Sequence, residues 1–276
     1  MLKVCEKPKQ YNCMTLHDNF SVYECNTLKE KISRTIEVLK TLPINGCITG
    51  SCLLPVFEPD EWGSTPDVDV FVYGETELVR AVTIAQYALD MTPGTGSQRS
   101  KEQEEWKLNR LFENGVNYKI GITTYKFFCD GVVINFTFKQ MKNHGRWVPI
   151  ISAPEVLRSF DMSILMQGYD IKQHVFYDMR GEDVFVARPN PLRNQDCVMW
   201  TVQKWIRQFD RVVKYYGRGY DTRPMAKFYL EMIDQCIEVG CLFDSTESNE
   251  LFESMSKEFL EKRAVIADWY DEHKED

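Results

Sequence analysis

Hydrophobic and polar positions follow two different periods along the chain. Apolar residues recur at helical spacing over about 27–42, with Pro43 and Gly46 ending the run. Short apolar runs near 47–49, 67–73, 119–128 and 132–138 predict strands, the last two joined by a turn at Asp130-Gly131. From about residue 196 the pattern is helical again, over 196–216, 224–239 and 249 to the end. We therefore expect a mixed α/β region followed by a helical one.

Further elements fill the space between these runs. The pattern predicts helices over about 76–90 and 101–114, and a flexible loop at 92–97 between them. Ser152 and Glu155 are spaced as a capping box for a short helix that ends near Phe160, and 161–166 and 172–177 are predicted strands. A segment rich in Pro and Asn, 187–194, indicates a boundary, which gives domains 1–190 and 191–276.

Composition and charge narrow the class of protein. The chain has 276 residues, of which 43% are hydrophobic, enough for a substantial core, and its net charge of −8 argues against a surface built to bind nucleic acid throughout. Its nine cysteines contain no C-x-x-C pair, which is typical of free thiols in a reducing compartment. No segment approaches the roughly 18 apolar residues of a membrane span. We expect a soluble cytoplasmic protein with no membrane partner.

Two aspartates stand inside an apolar strand pattern. Successive side chains of a strand point to opposite faces, so Val68, Val70 and Val72 are expected in the core while Asp67 and Asp69 share the other face. Two neighbouring carboxylates repel each other unless a cation lies between them, and hard oxygen ligands suit Mg²⁺ or Mn²⁺. The alternative is an edge strand, whose charges discourage aggregation.

A Gly-Ser pair precedes these aspartates. Gly50 and Ser51 follow the predicted strand at 47–49, and they are expected to open a short helix. Free backbone N–H groups at such a turn, together with the Ser51 hydroxyl, would bind phosphate groups, and glycine would let the backbone approach them closely. The alternative is an ordinary turn between a strand and a helix.

The order Gly50-Ser51, then Asp67-Val68-Asp69, resembles the nucleotidyltransferase superfamily of polymerase-β type, in which a third carboxylate follows on a later strand. Two further stretches are similar to uncharacterised nucleotidyltransferase-like proteins of phages and large DNA viruses. They are Ser159-Phe160-Asp161-Met162-Ser163 with Gly168-Tyr169-Asp170, and the segment 211–220. The resemblance implies a nucleotidyltransferase-like mixed sheet with flanking helices, and a C-terminal helical domain that closes the cleft.

The resemblance also implies a reaction, the transfer of a nucleoside monophosphate from an NTP such as ATP to an acceptor hydroxyl, with release of pyrophosphate. Asp67, Asp69 and a third acid would hold Mg²⁺ or Mn²⁺, and Gly50 and Ser51 would hold the triphosphate. The acceptor is open between an RNA end, a protein side chain and a small molecule, and a viral protein would act in the host cytoplasm.

The third acid departs from the family pattern. The strand slot that fits by order offers Asn135, which carries no charge, and we favour Asp161 as the third ligand or the base. The alternative to a role in the site is that Asp161 is an ordinary turn residue between a helix and a strand. If Asn135 fills the slot, the chain becomes a candidate for a catalytically inert fold that serves as a binding or inhibitory module.

One basic face stands out in this acidic chain. Lys204, Arg207, Arg211 and Lys214 recur at steps of three and four on the helix predicted over 196–216, with Arg218 just beyond. We expect Arg207, Arg211 and Lys214 to bind phosphates of the nucleotide or the acceptor. The alternative is a solvated face that pairs with acidic residues.

Overall fold

The structure is a computed structural model that describes residues 3–4, 28–54, 67–88, 92–93, 122–129, 131–143, 146–190, 202–238 and 249–274. The strands within these ranges are β1 (Lys3–Val4), β2 (Gly46–Thr49), β3 (Asp67–Val72), β4 (Thr92–Pro93), β5 (Ile122–Cys129), β6 (Val132–Asn143), β7 (Arg146–Pro149), β8 (Gln167–Asp170) and β9 (Val175–Asp178). The α-helices are α1 (Leu28–Leu39), α2 (Glu75–Thr83), α3 (Ala153–Arg158), α4 (Val202–Gly217), α5 (Arg223–Glu238) and α6 (Asn249–His273).

The strands form one mixed sheet. Its order is β1-β9-β8-β2-β3-β6-β5-β4, and β7 pairs with β6 outside this path. The pair of β3 and β6 is parallel, whereas β2 runs antiparallel to both of its neighbours and β5 and β6 form the expected hairpin. The prediction of a mixed α/β fold is therefore confirmed.

The two faces of the central sheet differ in chemistry. Val68 and Val70 of β3 are fully buried at 0% exposure, and they join a core with Ile134 and Phe136 of β6. Helix α1 contacts β6, and α2 contacts both β3 and β6. The apolar residues of the strands therefore pack on one layer of helices, and the intervening side chains face the other way.

Strand β3 lies in the interior of the sheet. It is hydrogen-bonded to β2 on one side and to β6 on the other. The edge-strand explanation for Asp67 and Asp69 is therefore wrong, since an interior strand presents no free backbone edge that charges would need to protect.

One predicted strand is absent and another is displaced. Residues 161–166 do not form a strand: Met162 makes an isolated bridge to Pro189, and Ser163–Leu165 form a single 3₁₀ turn. The Ser163 side chain contributes to this, because its hydroxyl donates to the Val186 carbonyl and accepts from the Arg188 N–H, so the segment is tied to a distant part of the chain in place of regular strand pairing. The strand β8 follows this turn, and β9 begins three residues later than the predicted strand at 172–177.

Several predictions fall partly or wholly beyond the described ranges. The helix predicted over 101–114 lies outside them, as do 94–97 of the predicted loop and 196–201 of the long helix. The helix predicted over 76–90 is α2, which continues as a π-helical turn, Ile84–Ala88.

The described residues belong to two compact units. The first lies within Met1–Leu157 and Gln167–Asp178, and the second within Arg158–Met166 and Met179–Asp276. The second unit thus takes in 158–166 and 179–190, which the sequence boundary at 190 places in the first domain. Its helices pack through aromatic pairs, Trp205 with Tyr229 and Phe209 with Phe259. Of the helices described, none combines the length and the apolar character needed to cross a membrane.

Candidate functional site

The two aspartates of β3 lie together on the polar face of the first unit. Both Asp67 and Asp69 are half-buried, and Val68 between them has 0% exposure. The alternation predicted from the sequence is therefore confirmed. Because the backbone on both sides is held by sheet hydrogen bonds, the two carboxylates have a fixed spacing.

Asn135 occupies the position beside them on the parallel strand β6. The register pairs Asp69 with Asn135. The Asn135 Nδ2 group donates to Asp69 Oδ1 at 2.9 Å and, in a longer contact, to Asp67 Oδ2 at 3.4 Å. A single neutral amide thus bridges both carboxylates and offsets part of their repulsion.

The other end of the same amide has no partner among the residues that the structure describes. Asn135 is only 7% exposed, and its Oδ1 atom is buried without a hydrogen bond to any of them. A buried, unsatisfied acceptor costs about 1 to 3 kcal/mol, so such atoms call for a physical reason. The unsatisfied oxygen of Asn135 belongs to the same amide group whose nitrogen donates to Asp67 and Asp69.

Gly50 is packed against the Asp69 carboxylate. Its backbone has φ 96° and ψ −165°, a region essentially reserved for glycine, and an added Cβ would lie 2.6 Å from Asp69 Oδ2. The short helix expected after the Gly-Ser pair is present as a single 3₁₀ turn, Ser51–Leu53, and Ser51 is buried. Gly50 therefore lies close to a carboxylate of the site, a contact that the sequence did not predict, while the predicted approach to phosphate groups by Gly50 and Ser51 stays a prediction.

A comparison of two glycines tests this packing. Gly74 adopts nearly the same backbone conformation, φ 109° and ψ 165°, but no atom of the described part of the chain lies within 4 Å of an added Cβ. We expect Gly74→Ala to lose about 2 kcal/mol of unfolding free energy from backbone strain alone. Gly50→Ala should lose at least about 1 kcal/mol more because the methyl group displaces Asp69. Urea unfolding of both variants measures the difference, and equal losses would contradict the contact.

Cys52 is a neighbour of the aspartates that sequence reasoning missed. Burial raises the pKa of its thiol, and the negative charges of Asp69 and Asp67 raise it further. The sulfur also approaches the Thr49 carbonyl at 3.5 Å. The Cys52 thiol is therefore neutral beside the carboxylates, and its place directly after the Gly-Ser pair was the only signal in the sequence.

A second polar cluster lies on the same face of the sheet. The Tyr73 hydroxyl donates to Asp170 Oδ2 at 2.9 Å, and the Gln173 N–H donates to Asp170 Oδ1 at 2.8 Å. Asp170 is 1% exposed, and Cys47 is fully buried next to it. Burial, then the neighbouring Cys47 and Asp170, raises the pKa of Tyr73, which therefore stays a hydrogen-bond donor. This cluster ties β8 to the end of β3 and explains the conspicuous Asp170 as a structural group.

Asp161 is held within the second unit. Arg211 Nη1 donates to Asp161 Oδ2 in a short ion pair and also contacts Gln208 Oε1 at 3.2 Å. Burial by itself would lower the pKa of the Arg211 guanidinium, but the charge of Asp161 keeps it above its usual value. The structure thus brings Asp161 together with Arg211, while Asn135 is the residue placed beside Asp67 and Asp69. Asp161 as a metal ligand or base stays a prediction.

The basic residues of α4 have different surroundings. Arg207 is exposed, Arg211 is paired with Asp161, and the Lys214 Nζ lies 5.8 Å from the centre of the Tyr215 ring. The side chains predicted to form one phosphate-binding face therefore do not act as a uniform surface. Arg207 retains the exposure that a phosphate ligand needs.

The oxygen atoms around Asp67 and Asp69 are of the kind that divalent cations prefer, but the Asn135 amide turns its Nδ2 toward the carboxylates. Within the described ranges, no group of three or more His, Cys, Asp or Glu side chains is placed to hold a metal ion. Two carboxylates and the buried Asn135 Oδ1 are nevertheless hard oxygen donors of the kind Mg²⁺ and Mn²⁺ prefer, and the orphan oxygen would gain a partner. The remaining positions would be left for water and phosphate oxygens.

Comparison of the chain with protein-family models and with curated proteins gives no match.

Proposed function

We propose that the protein is a metal-dependent nucleotidyltransferase that moves a nucleoside monophosphate from an NTP to an acceptor hydroxyl and releases pyrophosphate. One observation carries the proposal. Asp67 and Asp69 lie side by side on an interior strand, with the backbone of Gly50 packed against Asp69. Aspartate is unfavourable in an interior strand, and two neighbouring carboxylates repel each other, so both residues cost the fold stability. A role in binding a cation explains why the chain places them there.

The residues of the site have distinct roles in this proposal. Asp67 and Asp69 hold the cation, and Asn135 is the third protein group beside it. Gly50 and Ser51 lie next to Asp69 and are the candidates for contact with the triphosphate. A divalent cation held by Asp67 and Asp69 would supply positive charge to offset the negative charge of the phosphoryl oxygens. Arg207, which belongs to the second unit, is exposed, and its binding of a phosphate group stays a prediction of its own.

A second candidate function is supported by the bridging amide. The Asn135 Nδ2 contacts to both aspartates stabilise the pair without a metal ion. Within the described ranges, no third acidic side chain joins the two aspartates in a metal-holding group. A nucleotidyltransferase-like fold that has exchanged its third acid for a neutral residue would serve as a binding or inhibitory module. In that case the face that carries Asp67 and Asp69 binds a nucleotide or a partner and no chemistry follows.

An assay with labelled nucleotides separates the two candidates. Purified protein is incubated with Mg²⁺ or Mn²⁺, a cell extract as the source of acceptors, and each NTP labelled at either the α- or the γ-phosphate. The enzyme transfers the α label to an acceptor and releases the γ label as pyrophosphate. Digestion of the product with ribonuclease or protease then assigns the acceptor to RNA, protein or small molecules. If no NTP gives metal-dependent α transfer, the binding module is the better account.

A further inference from the structure

Two unusual features of Asn135 belong to the same side-chain amide. Its Nδ2 group lies between the two carboxylates, 2.9 Å from Asp69 Oδ1 and 3.4 Å from Asp67 Oδ2. Its Oδ1 atom, on the same planar group, is buried and has no hydrogen-bond partner within the described ranges. The donor end of the amide therefore occupies the position where a cation would bind, and the acceptor end is left without a bond.

The two ends of an amide have nearly the same shape and opposite polarity. Rotation by about 180° about the last side-chain bond exchanges Nδ2 and Oδ1 without moving the backbone. With Nδ2 toward the aspartates, the amide supplies partial positive charge to two anions. With Oδ1 toward them, it would add a third repulsive oxygen, unless a cation lies between the three groups.

We propose that Asn135 is a two-position residue that sets the cation affinity of the site: Nδ2 bridges Asp67 and Asp69 in the metal-free protein, and the amide turns Oδ1 toward a divalent cation when one enters. The cation must displace the amide hydrogen bonds and gains only a neutral oxygen in return. The site consequently binds the cation weakly by itself and depends on the negative charge of the nucleotide phosphates. This inference rests on the proposed function for the identity of that nucleotide, while the switch of the amide is a property of the protein alone.

The test is a titration of the metal-free protein with Mn²⁺. Binding is monitored by calorimetry and, separately, by the electron paramagnetic resonance signal of free Mn²⁺. Asn135→Asp replaces the neutral oxygen by a carboxylate and removes the competing donor, so we expect Mn²⁺ to bind roughly tenfold more tightly or better. The same variant should melt at a lower temperature than the wild type when no metal is present, because three carboxylates then repel. Asn135→Ala removes the competing donor together with a weak neutral ligand, so the metal-free melting temperature should fall and Mn²⁺ should bind more tightly than to the wild type, though less tightly than to Asn135→Asp.

Thr137→Val is the matched control. Thr137 lies two residues further on β6, on the same face and equally buried, and its hydroxyl contacts Thr124 at 3.0 Å. The Thr137→Val substitution should leave the Mn²⁺ affinity unchanged. This result separates an effect of the Asn135 amide from a general disturbance of β6.

The outcomes distinguish this inference from the proposed function. An Asn135→Asp affinity equal to that of the wild type overturns the role of the amide, even if the wild type transfers nucleotides. Tight Mn²⁺ binding by Asn135→Asp supports it, even if the wild type shows no transfer. If Asn135→Asp does not fold without metal, Asn135→Ala decides, and unchanged Mn²⁺ affinity in that variant overturns the inference.

Discussion

Replacing Asp67 and Asp69 together by asparagine should abolish nucleotidyl transfer and the response of the protein to divalent cations. The double variant keeps the shape of both side chains and removes their charge. Without metal it should be no less stable than the wild type, because two repelling carboxylates are replaced by neutral amides that can bond each other and Asn135. The wild type should gain about 2.7 kcal/mol at a Mn²⁺ concentration a hundredfold above its dissociation constant, which raises the melting temperature by roughly 5 to 10 °C.

Thermal melts with and without Mn²⁺, in the presence and absence of NTP, measure this difference. Asp170→Asn is a useful control, because Asp170 lies on the same sheet face but is engaged by Tyr73 and Gln173. It should lower stability while leaving the Mn²⁺ shift in place. A double variant of Asp67 and Asp69 that still shifts like the wild type would remove these residues from the metal site.

Replacing Asp161 by asparagine should destabilise the second unit by about 3 kcal/mol or more. The change leaves the Arg211 guanidinium without its carboxylate in a poorly solvated place, and a buried charge that loses its partner commonly costs 3 to 5 kcal/mol. We expect a loss near the lower end of this energy range because the Arg211 side chain is 29% exposed to solvent. A metal ligand would behave in the opposite way, since its loss should weaken cation binding with little effect on metal-free stability.

Asp210→Asn provides the comparison for this prediction. Asp210 lies on the same helix as Arg211 and pairs with Lys262, but its side chain is 57% exposed. An exposed pair contributes about 0 to 1 kcal/mol, so this variant should change the free energy of unfolding only slightly. Equal effects of the Asp161 and Asp210 substitutions in urea unfolding would show that the Asp161–Arg211 pair is not a buried anchor. In that event, the assignment of Asp161 to the metal site would regain weight.

The sequence predicted well what depends on local periodicity. The alternation of valine and aspartate in β3 placed the carboxylates on one face because side chains of a strand alternate whatever lies around them. The need for a glycine at position 50 is also local, since only glycine adopts the backbone conformation found there without strain. The approach of Gly50 to Asp69 was not predicted, because it depends on the pairing of β2 with β3.

The sequence predicted poorly what depends on pairing between distant segments. Asn135 meets Asp69 because β3 and β6 are parallel in a particular register, and residues 66 apart in the chain carry no mutual signal. Asp161 was favoured as the third acid because of its charge and its place in the chain order. Its pairing with Arg211, 50 residues away, is fixed only by the packing of the second unit. The predicted strand around Asp161 was wrong for a similar reason, because Ser163 bonds residues more than 20 positions later.

The most direct test of the central claim is a crystal structure of the wild-type protein with Mn²⁺ and a non-hydrolysable NTP analogue, with diffraction recorded at the manganese absorption edge. The account predicts an anomalous peak in contact with carboxylate oxygens of both Asp67 and Asp69, with Asn135 turned so that its Oδ1 faces the ion and the phosphates of the analogue completing its ligands. Contradiction would come from a nucleotide-bound crystal with no manganese at these carboxylates, or with Asn135 Nδ2 still bridging them.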